Sequence, residues 1–296
     1  MNQLIEDGKQ KLEQAYYTEA IQDFTKALQI NGQIEEAFFN RAEANYRIGR
    51  YEDALRDYTK AIELNPNMGT SYYYRALVND QLGNDNDALW DYSKAIKLAP
   101  NFEFTYVQRA KLYLKQKKYQ KALDDCNQSL LLTPDFALAL STRGLVKLEL
   151  NKVSQAYSDL KDAVRIAPNE ADLHSNLADY YLKMRQNEKA IEEYTTAINI
   201  NPRNPEAFHK RSVLKLSLGN NADALKDANR AIYNNRRYRP AYVTRAIAYF
   251  NTQEYDRSEY DIDMYLGQGS NQSQDFHYLA DNVLNYANHA SSSTLL

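Results

Sequence analysis

Arginine recurs at intervals of 34 residues along this sequence, and a carboxylate recurs at the same interval. The arginine row is Arg41, Arg75, Arg109, Arg143, Arg211 and Arg245, and the acidic row is Asp23, Asp57, Asp91, Asp125, Asp159, Glu193, Asp227 and Asp261. A planar guanidinium pairs with a carboxylate through two parallel hydrogen bonds. The rows therefore serve either internal ion pairing or the binding of an acidic ligand. We favour an internal charge ladder, because Leu177 takes the arginine place in the sixth interval and so indicates a largely buried position.

Two pairing schemes are open for this ladder. Within one interval, Arg41 would meet Asp57, but the same scheme would place Asp7 beside Asp23 in the first interval. Across intervals, Asp23 would meet Arg41, and Asp57 would meet Arg75. The second scheme avoids a like-charge pair, so we predict pairing across intervals.

The other reactive side chains form no catalytic or metal-binding pattern. Cys126 is the only cysteine, and it is best interpreted as a small core residue. The histidines, His174, His209, His277 and His289, show no spacing typical of metal ligands. No glycine-rich phosphate-binding loop is present. The sequence predicts that the protein is not an enzyme and binds no cofactor and no metal.

Small residues indicate which elements position the two rows. Counted in frames of 34 residues from Met1, the eighth, twentieth and twenty-seventh places hold Gly, Ala or Ser everywhere except at Tyr265. Helices approach closely where side chains at the crossing are small. In residues 35–68, apolar residues spaced by three or four predict two amphipathic helices, separated by a turn at Gly49 and ended at Pro66. Each frame therefore predicts an antiparallel helix pair.

This pattern resembles the tetratricopeptide repeat family, with about eight tandem repeats and no insertion or deletion. The units are 1–34, 35–68, 69–102, 103–136, 137–170, 171–204, 205–238 and 239–272. The resemblance implies an all-α fold, a right-handed superhelical α-solenoid of antiparallel helix pairs. After the repeats we expect a C-terminal capping helix over 273–290 and a flexible tail over 291–296.

The resemblance also implies a partner-binding groove, formed by places two, five, six and nine of the first helices. The candidate residues are Phe39, Asn40, Glu43, Tyr73, Tyr74, Leu77, Phe104, Val107, Gln108 and Lys111. Aromatic residues clustered on a concave surface are typical of peptide grooves, and Asn40 and Gln108 are suited to hydrogen-bond an extended backbone. The alternative is that these aromatic residues serve packing between repeats.

Some members of the family bind acidic chaperone tails through a clamp of Lys, Asn and Arg residues. Only Asn40 matches that clamp here. Ile5 and Lys9 stand where Lys and Asn are expected, and Thr70 and Tyr74 stand where Lys and Arg are expected. An acidic-tail clamp in the first three repeats is therefore not expected.

Composition narrows the class of partner further. Lys plus Arg total 36 and Asp plus Glu total 39, so the net charge is −3. Without a basic excess we expect no nucleic-acid partner. No stretch reaches the roughly 20 apolar residues of a membrane span, so we expect no membrane insertion. The first residues show no secretory signal, which predicts a cytoplasmic protein.

The sequence thus predicts a non-enzymatic scaffold or adaptor that binds an extended segment of a protein or peptide partner in its groove. We expect a monomer or a weak homo-oligomer. The alternative is an architectural or self-associating solenoid without a dedicated peptide ligand.

Overall fold

The structure is a computed structural model that describes residues 1–266. Within that range the regular secondary structure consists of sixteen α-helices joined by short turns. The first helices of the pairs are α1 (Asn2–Glu13), α3 (Glu35–Arg47), α5 (Gly69–Gln81), α7 (Glu103–Lys115), α9 (Ala137–Glu149), α11 (Ala171–Lys183), α13 (Pro205–Ser217) and α15 (Arg239–Asn251). The second helices are α2 (Tyr17–Ile30), α4 (Tyr51–Leu64), α6 (Asp85–Leu98), α8 (Tyr119–Leu132), α10 (Val153–Ile166), α12 (Asn187–Ile200), α14 (Asn221–Asn234) and α16 (Tyr255–Leu266).

The helices pack in tandem pairs, as the small-residue pattern predicts. The eighth-place residues are buried in every pair, and Ala20, Ala54 and Ala88 at the twentieth place have no exposed surface. At Gly8 even a methyl group is too large, because an added Cβ would lie 2.7 Å from the ring of Phe24. The predicted all-α solenoid of helix pairs is confirmed.

The turn inside each pair has one backbone geometry. In the second pair, the amide of Arg50 donates to the carbonyl of Asn45 at 2.9 Å, and the amide of Gly49 donates to Tyr46 at 3.0 Å. This pair of bonds is typical of a helix end at which the first residue beyond the helix cap, here Gly49, has a left-handed backbone. The left-handed residues are Ala15, Gly49, Gly83, Lys117, Asn151, Arg185, Gly219 and Gln253. The turn is therefore kept even where no glycine marks it.

Residues 1–146 form one compact unit, and a second unit begins at Lys147. The division falls inside α9, so it does not coincide with a boundary between the predicted repeats. The predicted capping helix over 273–290 and the tail over 291–296 lie outside the described residues, as does the end of the last predicted repeat. Among the described helices, none combines the length and apolar character needed to cross a membrane.

Candidate partner-binding surface

Arginines of the row pair with carboxylates of the acidic row inside their own helix pair. Nε of Arg41 lies 2.8 Å from Oδ2 of Asp57, and Nη2 lies 2.7 Å from Oδ1. The same two-bond geometry joins Arg75 to Asp91, Arg109 to Asp125, Arg211 to Asp227 and Arg245 to Asp261. The predicted pairing across intervals, Asp23 with Arg41 and Asp57 with Arg75, is wrong.

The first repeat explains the error. Asp7 holds the arginine place of the first repeat. Lys11 lies one helical turn after it and forms the ion pair with Asp23. Asp7 accepts a hydrogen bond from the side chain of Gln3 at 2.8 Å instead. The eleventh place supplies the same kind of partner elsewhere, since Lys215 lies 2.8 Å from Asp227. The sequence analysis thus overlooked the lysine that stands four residues after the arginine place and can pair with the same carboxylate.

Each arginine also reaches the preceding repeat. Nη1 of Arg41 donates to the hydroxyl of Thr25 at 3.1 Å. Equivalent bonds run from Arg75 to Thr59, from Arg109 to Ser93, from Arg143 to Asn127, from Arg211 to Thr195 and from Arg245 to Asn229. The guanidinium groups thus connect successive helix pairs through neutral acceptors. This arrangement favours a structural role for the row over the binding of an acidic ligand.

The sixth repeat carries a substitute for the arginine pair. Leu177 is buried at the arginine place, and Glu193 forms its contact with His174, whereas Arg211 pairs with Asp227. A pair between Glu193 and Arg211 was also implied by the scheme across intervals, and that expectation is likewise wrong.

A continuous series of aromatic rings runs along the first unit. Its ring centroids are separated by 5.5 Å between Phe39 and Tyr74, 5.2 Å between Tyr74 and Tyr73, and 5.0 Å between Tyr73 and Phe102. It continues over 5.6 Å from Phe102 to Phe104 and over 4.6 Å from Phe104 to Phe136. We call these six residues the aromatic series. Phe104 is the most accessible member, with 38% of its surface exposed.

Two predicted groove residues are buried and offer no surface to a partner. Val107 has no exposed surface, and Tyr73 is 7% exposed. The rings of Phe102 and Tyr92 cover Tyr73. Burial raises the pKa of Tyr73 to about 12, and a hydrogen bond with Gln108 acts in the opposite direction. Of the candidate groove residues, Tyr73 and Val107 therefore lie in the core.

The remaining predicted residues lie at the edge of the core or on the surface. Tyr74 and Leu77 are partly buried and pack against the core of the third repeat. Gln108 is partly buried, and Lys111 is exposed. These side chains therefore pack against the core in part and remain accessible in part, and only some of them present a surface for binding.

The other three predicted residues, Phe39, Asn40 and Glu43, line a pocket of about 580 Å³ in the first two repeats. Its wall also includes Glu35, one of whose carboxyl oxygens is buried without a hydrogen-bond partner. Burial, followed by the charge of Glu36, raises the pKa of Glu35. The pocket thus combines an aromatic ring, an amide and carboxylates at one end of the aromatic series.

The described residues hold no group of three or more His, Cys, Asp or Glu side chains arranged to bind a metal ion. Cys126 is buried. The described surface offers aromatic faces, an amide and charged groups.

These helix pairs define an α-solenoid repeat protein. Models of the tetratricopeptide repeat family match residues 35–68, 109–175 and 147–212. The chain belongs to the tetratricopeptide repeat family. No curated protein sequence matches it at a significant level.

Solved structures show the same fold. Yeast Tom70 superposes with a TM-score of 0.68 at 19% identity, covering 94% of this chain and 61% of Tom70. A tetratricopeptide repeat protein from Parabacteroides merdae gives 0.60 at 20% identity, covering 85% of this chain and 99% of its own. A thermophilic family member from Thermus thermophilus gives 0.56 at 23% identity, covering 62% of this chain and 100% of its own. At these identities the likeness establishes the fold alone.

Proposed function

We propose that this chain is a non-enzymatic adaptor that binds an extended segment of a partner protein along the aromatic series of its first unit. Tetratricopeptide repeat proteins generally mediate protein–protein interactions. The observation that carries the proposal is the unbroken row of rings from Phe39 to Phe136, with Phe104 exposed at 38%. Aromatic side chains of this kind concentrate binding energy in protein interfaces.

The partly exposed rings supply a modest energy each. Full burial of a large apolar side chain contributes roughly 1.5–3 kcal/mol, so covering the exposed part of Phe104 contributes about 1 kcal/mol. The underlying rings, such as Tyr73, are already packed and hold the exposed faces in place. A preformed surface of this kind keeps the entropy cost of binding low.

The second unit has a different surface at the corresponding places. Asp179 accepts hydrogen bonds from Tyr194 at 2.5 Å and from Lys210 at 2.9 Å. Lys210 also lies 2.9 Å from Glu206. Because these polar groups already interact with one another, we assign the principal contact to the first unit.

A comparative pull-down tests the proposal. Phe104→Thr removes the exposed ring and is compatible with the fold, because Thr70 holds the equivalent exposed place in the preceding repeat. Leu131→Thr is the matched control, since Leu131 lies on α8 of the same repeat and is 76% exposed. Partners recovered in lower yield with Phe104→Thr than with the intact protein and with Leu131→Thr support the proposal. Equal recovery by all three proteins would contradict it.

A self-associating solenoid is the competing function. It predicts that the mass measured by light scattering rises with protein concentration. A constant monomer mass across concentrations supports the adaptor.

A further inference from the structure

The pocket at the start of the first unit has an excess of acidic groups. Carboxylates line it at Glu13, Glu35, Glu36 and Glu43, whereas its only basic lining residues are Lys9 and Arg47. Each basic residue already has a carboxylate, because Arg47 lies 3.0 Å from Glu43 and Lys9 pairs with Glu36. Two carboxylates, Glu13 and Glu35, therefore remain in excess over the cations of this pocket.

Glu35 is the more informative of these two residues. Its Oε1 atom is buried and has no hydrogen-bond partner among the described residues. Leaving a buried polar atom without a partner is unfavourable, and such atoms in native proteins call for an explanation. A cationic group brought into the pocket supplies a compensating charge for this carboxyl.

The rest of the lining suits the stem of a long basic side chain. Leu12, Phe39 and Met68 present apolar surface in the same pocket. Lysine and arginine place their methylene groups along apolar surface while the charged end contacts polar groups. Asn40 adds an amide that can hydrogen-bond the backbone of an extended peptide.

We propose that this pocket binds a lysine or arginine side chain of the partner segment, so that the preferred ligand is a peptide with a basic residue beside apolar residues that lie on the aromatic series. This inference rests on the proposed adaptor function and adds the chemistry of its ligand. It reverses the charge preference of a clamp for acidic tails.

A displayed library of random dodecapeptides, selected on the intact chain, tests the inference without a known partner. The same selection is made on Glu35→Gln and on Glu52→Gln. Glu52 is an exposed residue of α4 in the same repeat, so its change alters the net charge equally away from the pocket. The expected result is enrichment of Lys and Arg on the intact chain and on Glu52→Gln, with loss of that enrichment on Glu35→Gln.

A double-mutant cycle then measures the contact directly. The selected peptide is compared with an analogue in which norleucine replaces its basic residue. Affinity of the original peptide should fall about tenfold with Glu35→Gln, and the analogue should bind both proteins equally. Glu13→Gln, at an exposed position, provides a second variant that leaves the core intact and should weaken the original peptide by a smaller factor.

The outcomes separate the two proposals. Peptides that require Phe104 but show no basic preference, or bind Glu35→Gln as well as the intact chain, overturn the basic-residue inference and leave the adaptor function standing. A selection that yields no peptide dependent on Phe104 overturns both. Enrichment of Asp and Glu would also overturn the inference.

Discussion

Nδ1 of His174 lies 2.7 Å from Oε2 of Glu193, in the repeat where Leu177 replaces the arginine. Nε2 of the same ring lies 3.0 Å from the carbonyl oxygen of Pro168. Each ring nitrogen of His174 therefore faces an oxygen atom that accepts hydrogen bonds. In the third repeat, Tyr72 occupies the place of His174 and donates a hydrogen bond to the carbonyl oxygen of Pro66. There the ion pair with the acidic row is formed by Arg75 instead. In the sixth repeat one histidine therefore takes over both contacts.

The substitute pair predicts a rescue. His174→Phe should lower the free energy of unfolding by about 1–3 kcal/mol, because Glu193 loses its donor in a partly buried site. His174→Phe combined with Leu177→Arg restores the aromatic residue and arginine found in other repeats and should regain part of the loss, because Lys161 stands where the other arginines have a neutral acceptor. Urea denaturation of both variants checks this. A double variant no more stable than the single one would show that the two places are not coupled.

The arginine pairs predict a cost for removing one partner alone. The side chain of Asp125 is 7% exposed and that of Arg109 is 18% exposed. Arg109→Leu leaves the carboxylate buried without its counterion and should cost about 3–5 kcal/mol. Arg109→Leu with Asp125→Leu removes both charges and should be markedly less destabilising. Thermal melts that rank the double variant as the less stable would contradict this description of the pair.

The left-handed residue of each turn predicts opposite changes in stability for substitutions at Arg185 and at Gly83. Arg185 has a φ of 56° there, and Gly83 has a φ of 77° with no atom near an added Cβ. The left-handed region costs an L-residue about 1–2 kcal/mol, part of which glycine loses again in chain entropy. Arg185→Gly should therefore stabilise by about 0.5–1 kcal/mol, and Gly83→Ala should destabilise by about 1 kcal/mol. Chemical denaturation in which both changes have the same sign would refute the assigned turn.

His209 predicts a loss of stability in acid. Burial, assisted by the charge of Lys210, lowers the pKa of His209 from 6.5 to about 4, and Thr244 lies 3.2 Å from its Nδ1. Between these values the unfolded chain binds more protons than the folded chain, so stability falls as the pH falls. Relative to a His209→Gln variant, the protein should lose about 1–2 kcal/mol between pH 6.5 and 5. A stability difference that stays constant across this range would place His209 in an exposed setting.

Much of the fold follows from the sequence because its causes repeat. Close helix crossings at places such as Ala20 and Ala54 admit only small side chains, so the 34-residue spacing predicts the helix pairs directly. The sequence predicts the turn only in the repeats that have glycine at the left-handed place. At Lys117 and Arg185 the same left-handed geometry is imposed by the surrounding pair and leaves no mark in the residue type.

The candidate surface was less predictable because burial depends on the neighbouring repeat. Tyr73 and Tyr74 occupy adjacent groove places, yet Phe102 covers Tyr73 and leaves Tyr74 partly accessible. The prediction of which carboxylate pairs with which arginine was wrong for a similar reason. Asp7 suggested a like-charge contact, whereas Lys11, one turn further along the helix, provides the counterion of Asp23.

Site-specific photo-crosslinking tests the central claim most directly. A benzophenone amino acid is placed at Phe104 in one protein and at Leu131 in a second, since both positions are exposed and lie in the same predicted repeat. The account predicts that an adduct with a partner forms at position 104 and not at position 131, and that mass spectrometry maps it to one short segment of that partner. Adducts formed equally at both positions, or only at position 131, would contradict an interface along the aromatic series.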